Sequence, residues 1–354
     1  MKKVGICGFA HGHIFSFAGE WMMNPEKYNV KVIAAWDHDK NRLLESAARL
    51  PEQVKTIENL EDLLNEDIDA VVITCETAFH AEIAEKAAKA QKDIILYKPI
   101  ALNMKEADRI VNAVKENGVR LSMGWQMRCD KQNIRIREMI LNEELGRVCA
   151  FRRRHGLATH TWPNFENTWH VDSKMNRDIF ADDSAHPINL MQWLFGMPVS
   201  VSCEISTMLN PAIKNDNGIA LFRYENGMVA EISCSFTTSA SEITTEVYLE
   251  KGTIQQYFGD APSTRLERAS GMTGLKWFKE GDAGWTDSGI PSPDTHGQRL
   301  VDQAGPLADF LNGGEPVCTA EEGRDTLRLV LACYLSNELG MRVSVNDERI
   351  YDIE

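Results

Sequence analysis

The sequence predicts two domains: an α/β domain with a doubly wound parallel sheet, then an α+β domain built on a large, mainly antiparallel open sheet. Three observations carry this. Short apolar strands alternate with helical stretches from Val4 to Met123. One of them, Ile94-Ile95-Leu96, is apolar at every position, as a strand covered on both faces must be. Beyond Arg147 the texture changes to longer alternating strands joined by hairpin turns. A chain of 354 residues, 43% hydrophobic, is too long for one ordinary core. The expected division is 1–124 and 125–354. A C-terminal helix over about 321–339 should return to the domain junction on Leu327, Val330, Leu331 and Tyr334.

The first element, Val4 to Cys7, is a short strand followed by a turn from Gly8 to His13 and a helical stretch from Ile14 to Met23. This is the strand, glycine turn and helix context that a phosphate-binding loop requires. Gly8 holds the first position of GxGxxG, and Ala10 and His13 hold the other two. Val30 to Trp36 is a second strand with Asp37 at its carboxyl end. An acid there accepts both ribose hydroxyls of NAD and repels the 2′-phosphate of NADP. A plain turn aspartate within Asp37-His38-Asp39 is the structural alternative. No arginine directly follows Asp37, which favours NAD over NADP, although His38 would tolerate a phosphate. The series continues through helix Lys40–Leu50, the segment Ile57–Leu64, strand Ala70–Ile73, helix His80–Ala90, strand Ile94–Leu96, helix Lys105–Asn117 and strand Arg120–Met123. Such a run is a Rossmann pattern.

Lys98 follows the fourth strand, where the carboxyl ends of a parallel sheet form the ligand crevice. A buried strand should not finish on an ammonium unless something there needs a charge. A lysine snorkelling to water is the bland alternative.

Composition excludes several classes. The net charge of −14 makes nucleic acid an unfavoured partner. No apolar run approaches the roughly 18 residues of a membrane span, and Met1 to Gly8 has no signal-peptide core. Eight cysteines lack a CxxC pair, and Cys7, Cys203, Cys234 and Cys333 sit in apolar runs. They read as reduced core residues of a cytoplasmic protein. No metal is expected, because no carboxylate or cysteine accompanies His11 and His13 at ligand spacing.

In the second half, Val148–Arg152, Val199–Cys203, Ile219–Phe222, Met228–Phe236 and Ile243–Leu249 read as strands, with turns at Glu225-Asn226-Gly227 and Lys251-Gly252. A polar, aromatic stretch from His155 to Arg177 carries His160, Trp162, Trp169, His170 and Asp172. Trp162 and Trp169 are either sugar-stacking groups or interface core. A helix from Asp182 to Phe195 follows. Asp182 and His186, four apart, share one helical face, where a carboxylate supports an imidazole. Asp182-Asp183-Ser184 also reads as an N-terminal cap, which leaves the histidine unexplained. Gln126 and Arg128 follow the last Rossmann strand within reach of ligands, and Arg128 equally reads as an ion-pair residue. The open sheet predicts a homodimer or homotetramer, with Ile232, Cys234, Phe236, Val247 and Leu249 supplying both faces.

These residues resemble the glucose-fructose oxidoreductase and inositol dehydrogenase family (Gfo/Idh/MocA) over nearly the whole chain. The resemblance rests on the glycine loop, on Val71-Val72-Ile73 leading to His80, on Lys98-Pro99, and on the run from Glu315-Pro316-Val317 to Gly340. Tyr97 replaces a usual glutamate, Cys75-Glu76-Thr77 replaces Thr-Pro-Asn, and Asn176-Arg177-Asp178 replaces a glycine run. The resemblance implies an NAD(P)-dependent oxidoreductase that moves a hydride between nicotinamide and a carbinol carbon of a sugar, inositol or related polyol. It implies Lys98, Asp182 and His186 as the catalytic group. His186 would act as general base, Lys98 as stabiliser of the developing alkoxide, and Asp182 as the group orienting the imidazole. Cofactor contacts are expected at Gly8, Phe9, Ala10, His11, His13, Asp37, His38, Cys75, Glu76, Thr77, His80, Tyr97, Lys98 and Gln126. Substrate contacts are expected at Lys98, Arg128, His155, Trp162, Trp169, Asp182 and His186. Two alternatives stand beside this: an NAD-dependent glycoside hydrolase of the same fold, and a non-catalytic sugar or cofactor sensor. The sensor predicts loss of the catalytic group, yet all three residues are present.

Overall fold

The computed structural model describes residues 1–240, 243–258, 274–293 and 295–353. It divides into two compact units, the first made of residues 1–126, 174–176 and 300–327. Its sheet has six strands, β1 (Lys2–Cys7), β2 (Val30–Trp36), β3 (Lys55–Ile57), β4 (Ala70–Ile73), β5 (Asp93–Tyr97) and β6 (Leu121–Gly124). They lie in the order β3-β2-β1-β4-β5-β6, every pair parallel. Strand order reverses between β1 and β4, which opens a crevice at their carboxyl ends. All four residues of β4 are buried, as expected for a strand covered on both faces. The one strand not read from the sequence is β3, a three-residue edge on which only Ile57 is buried; so short and polar a segment carries no apolar period.

The helices of this unit start and stop where their side chains dictate. Asp39 caps Lys40–Ala47 by accepting from the amides of Asn41 and Arg42. Asn103 caps Met104–Asn117, which ends at Gly118 in the left-handed conformation, φ 64°. Against an expected boundary near residue 124, a later segment also belongs here. Helix Ala304–Leu311 places Leu307, Phe310 and Leu311 in the core that contains Ile6, Phe17 and Trp21. Trp21 Nε1 donates to the Ala304 carbonyl at 2.8 Å, satisfying the polar end of a fully buried indole.

The second unit comprises residues 127–173, 177–299 and 328–354. Among the described residues its sheet has nine strands, β7 (Val148–Gly156), β8 (Ser200–Ser206), β9 (Asn217–Arg223), β10 (Val229–Ser235), β11 (Ile243–Leu249), β12 (Gly252–Tyr257), β13 (Leu275–Lys279), β14 (Thr286–Asp287) and β15 (Val343–Ser344). The order is β14-β13-β12-β11-β7-β10-β9-β8-β15. Neighbours in this order pair antiparallel except β7 and β10, which pair parallel, with β7 inserted between β10 and β11. Helix Ile179–Phe195 packs on β7 and β10.

One expectation is corrected. Ile232, Cys234, Phe236, Val247 and Leu249 do not supply two faces, because all five are buried within the single chain. On β9 the residues between the buried ones, Ile219 and Leu221, are exposed; on β10 Val229 is exposed, while Glu231 and Ser233 are half-buried. The period of two had set the named residues on one side. Among the described residues, no helix is long and apolar enough to cross a membrane.

Candidate active site

The loop after β1 is laced to the end of β4. Thr74 Oγ1 donates to the Gly8 carbonyl at 2.6 Å, and the His11 amide donates to the Thr74 carbonyl at 2.9 Å. Gly8 has φ +90°, and a Cβ there would lie 2.5 Å from Cys75 Cβ. Only glycine fits. A Cβ on Gly12 would meet no described atom within 4 Å, and no described side chain caps the first turn of Ile14–Met23. Close backbone approach, open space and uncapped helical amides together fit a dinucleotide pyrophosphate.

Two departures from the family pattern turn out to be partners. His13 Nδ1 lies 3.1 Å from the Tyr97 hydroxyl, which itself donates to Gln303 Oε1 at 3.0 Å. The Tyr97 ring is buried, stacks on Phe17 with an interplanar angle of 6°, and meets His11 edge-on at 4.5 Å. A Cβ on Gly124 would strike this ring at 2.5 Å. Replacing the usual glutamate by tyrosine is therefore tied to His13 in the loop and Gly124 on β6. Ala10 is half-buried beside them.

Asp37 is buried at the end of β2, and four donors reach it. Oδ2 accepts from the Phe9 amide and from Arg42 Nε, both at 2.8 Å. Oδ1 accepts from the Asp39 amide at 2.9 Å and from Arg42 Nη2 at 2.8 Å. Arg42 also reaches Glu76, with Nη1 on Oε1 at 2.7 Å and Nη2 on Oε2 at 3.1 Å. His38 Nε2 lies 2.9 Å from the same Oε2. Burial opposes the charge on Glu76, but hydrogen bonds from Arg42 and His38 outweigh it and hold the carboxyl below its ordinary value. Burial likewise opposes the charge on Arg42, and its bonds to Asp37 and Glu76 reverse that. Arg42 escaped the sequence reading, which weighed only the position directly after Asp37. The available signal was Asp39, whose capping of the next helix sets Arg42 in its first turn.

Lys98 is 2% exposed and follows β5, joined to Pro99 by a cis peptide. His80 opens helix His80–Lys89 and is fully buried between backbone segments. Its Nδ1 lies 2.9 Å from the Pro99 carbonyl and 3.3 Å from that of Ile100, and its Nε2 lies 3.2 Å from the Cys75 carbonyl. The ring thus bridges the segment after Lys98 to the loop after β4. Burial pushes its pKa down to about 4. Thr77 Oγ1 donates to Asn176 Oδ1 at 2.5 Å, and Cys75 is buried with its thiol pushed up by desolvation. Gln126, also buried, closes the first unit's main segment.

In the second unit the expected helix begins three residues early, at Ile179. Its N-cap is Asp178, whose Oδ1 accepts the Ala181 amide at 3.0 Å. The cap reading of Asp182-Asp183-Ser184 is thereby corrected: these residues lie inside the helix. Arg177 takes φ 67°, the left-handed conformation that the family's glycines adopt cheaply. Asp178 also receives Tyr334 Oη at 2.5 Å and Asn215 Nδ2 at 2.6 Å, and burial raises its pKa despite these donors.

Asp182 and His186 are both buried on this helix. His170 Nδ1 donates to Asp182 Oδ2 at 2.6 Å. The neighbouring Asp183 sets Oδ1 3.5 Å from His155 Nε2 and 3.5 Å from His186 Nε2. Successive carboxylates therefore face different imidazoles, and Asp183, read only as a cap residue, is the acid beside His186. Arg128 Nε donates to Asn189 Oδ1 at 2.8 Å on the same helix. Trp169 stacks on His170 with centroids 4.0 Å apart, whereas Trp162 is 43% exposed and meets Phe165 edge-on. Among the described residues, no group of three or more His, Cys, Asp or Glu side chains is arranged to hold a metal ion.

This arrangement has known counterparts. The chain is 27% identical over 233 residues to scyllo-inositol 2-dehydrogenase (NAD(+)) of Bacillus subtilis, covering 63% of this chain and 65% of that one. It is 26% identical over 167 residues to inositol 2-dehydrogenase of Salmonella typhimurium, covering 47% of each. The match thus spans about half to two thirds of these relatives' length. The fold superposes on levoglucosan dehydrogenase, solved with NADH and levoglucosan, with a TM-score of 0.81 at 18% identity, over 98% of this chain and 100% of that one. Residues 2–125 match the model described as oxidoreductase family, NAD-binding Rossmann fold, and residues 134–255 match that of the GFO/IDH/MocA C-terminal domain. With both halves matched, the chain belongs to the Gfo/Idh/MocA oxidoreductase family.

Proposed function

We propose that this protein is an oxidoreductase that uses NAD(H), in preference to NADP(H), to move a hydride to or from a carbinol carbon of a sugar, inositol or related polyol. The observation that carries the reading is Lys98, an ammonium only 2% exposed at the carboxyl end of a Rossmann strand. The inositol 2-dehydrogenase relatives support the substrate class. Bound NAD supplies the hydride acceptor. The chain's own residues handle the proton and the charge. His186 takes the hydroxyl proton, and the Asp183 carboxylate, 3.5 Å from its Nε2, stabilises the imidazolium that forms. Lys98 stabilises the developing alkoxide. Asp182 acts through His170, with Trp169 stacked on that ring as a substrate wall.

The His170–Asp182 pair also favours a second reading, NAD-dependent glycoside hydrolysis. Oxidation of an alcohol carbon, loss of the neighbouring proton to a second base, departure of the leaving group, addition of water and return of the hydride leave NAD unchanged. In this reading His170, paired with Asp182, would be that second base. Screening sugars, inositols and aryl glycosides while following the absorbance of reduced nicotinamide separates the readings. Net NADH with a polyol supports the dehydrogenase. Release of the aryl group without net NADH supports the hydrolase, and no turnover with intact binding supports a sensor. We further propose a homodimer or homotetramer assembled through the sheet face that exposes Ile219, Leu221 and Val229. A monomer mass of 39.8 kDa by light scattering would reject it.

A further inference from the structure

The inference rests on the NAD reading above and concerns how the selection is made. A carboxylate offers about four lone-pair sites. Those of Asp37 are met by the amides of Phe9 and Asp39 and by Nε and Nη2 of Arg42. No site remains for a ribose diol while Arg42 stays on it. Arg42, however, already has a second counter-ion in Glu76, which accepts Nη1 at 2.7 Å and Nη2 at 3.1 Å. A guanidinium carries five donors in a planar fork, so a rotation of its stem transfers it wholly to Glu76 without leaving its charge unmatched. His38 Nε2, 2.9 Å from Glu76 Oε2, is held by the same acid.

We propose that Glu76 is the cofactor-selecting residue: it draws Arg42 off Asp37, frees that carboxylate for the ribose diol of NAD(H), and withholds both Arg42 and His38 from the 2′-phosphate of NADP(H). The charges agree. Two acids face one guanidinium, so these three charges are net negative and repel a phosphate dianion. Neutralising Glu76 leaves Arg42 on Asp37, removes the excess negative charge, and releases Arg42 Nη1 and His38 to meet the phosphate. Glu76 stands where the resembled family has proline, so the device belongs to this chain's own sequence.

The test is fluorescence titration of NADH and NADPH against the full chain, Glu76→Gln, Arg42→Gln and the double variant. Glu76→Gln should weaken NADH and tighten NADPH, moving the ratio of the two Kd values by about tenfold or more. The double variant should lose the NADPH gain. Arg42→Gln alone should leave NADH binding no weaker than in the wild type, because the guanidinium has to leave Asp37 before the diol can bind, and should weaken NADPH, because it leaves two acids unbalanced. An unchanged ratio in Glu76→Gln, or a shift that survives in the double variant, overturns the proposal. Should Glu76→Gln fail to fold by circular dichroism, Arg42→Gln decides: weakened NADH binding means that the diol needs Arg42 on Asp37, and overturns it. Wild-type protein that binds neither cofactor, or NADPH more tightly, defeats the NAD reading and this inference together. A wild type that prefers NADH with an unresponsive Glu76→Gln defeats only the role of Glu76.

Discussion

The two units bury carboxylates against opposite kinds of partner. At the end of β2, Asp37 and Glu76 close on Arg42, a guanidinium that stays charged at any working pH. On helix Ile179–Phe195, Asp182 and Asp183 face His170, His155 and His186, and an imidazole changes charge near neutrality. A fixed charge can hold a ligand's shape but cannot move a proton; a titrating group can do both. Even the imidazole bridging the loops of the first unit, His80, is kept neutral by burial, with its pKa near 4. The chain thus pairs Asp37 and Glu76 with a permanent cation, with His38 as an added contact of Glu76, and sets the acids of the helix that bears the proposed base against imidazoles.

The largest expected effect tests that division directly. Replacing His186 by Gln should lower kcat by about 10²–10⁴-fold, the usual range for loss of a general base, while the Kd for NADH stays unchanged. Stopped-flow turnover and NADH titration measure the two. A parallel loss of cofactor binding would erase the separation of roles. His80 offers the converse test, on stability. Its folded pKa of about 4 lies below the ordinary 6.5, so the unfolded chain takes up the proton first. The stability it contributes is complete above about 6.5 and is lost as pH falls from there to about 4. The full loss is about 3 kcal/mol. Urea midpoints between pH 7 and pH 4 should show this slope in the wild type, and His80→Gln should flatten it. An equally steep slope in the variant would place the titrating group elsewhere.

Most of the first unit was legible because its strands and helices carry their own periods and stops: Ile14–Met23, Val30–Trp36 and Ala70–Ile73 begin and end at the residues the sequence indicates. Helix Ala304–Leu311 was not, because its apolar face reads the same whichever core receives it, and its contacts with the first unit's core, Trp21 among them, assign it. The site divides in the same way. The spacing of Asp182 and His186 set both on one helix, and the helix carries both. The pairing of Asp182 with His170 depends on an irregular stretch with no period of its own, and that of Asp183 with His155 on the course of β7. Arg42 on Asp37 needed the direction of a side chain five residues away, which spacing alone does not give.

A smaller effect decides which acid serves the base. The Asp183 carboxylate lies 3.5 Å from His186 Nε2, so removing its charge makes the imidazolium less favourable and lowers its pKa. The rise of kcat/KM with pH, which reports the free enzyme's essential base, should move to lower pH in Asp183→Asn by about one unit. In Asp182→Asn that limb should hold its place while the rate falls, since this acid acts on His170. The reverse pattern would return Asp182 to the role its spacing suggested.

The smallest effect probes the rigid side of the comparison. Tyr97→Phe keeps the ring that stacks on Phe17 and lies against Gly124, and removes only the hydroxyl. That hydroxyl donates to the buried Gln303 Oε1 at 3.0 Å and meets His13 Nδ1 at 3.1 Å. Leaving Gln303 without this donor should cost about 1 kcal/mol, the net worth of one buried hydrogen bond plus part of the penalty for the stranded acceptor. The urea midpoint should fall accordingly. The pH profile of turnover should keep its shape, because the lost contact orients the phosphate loop and moves no proton. A shifted profile would mean that His13 takes part in the proton chemistry, and the assignment of that chemistry to the second unit would then fail.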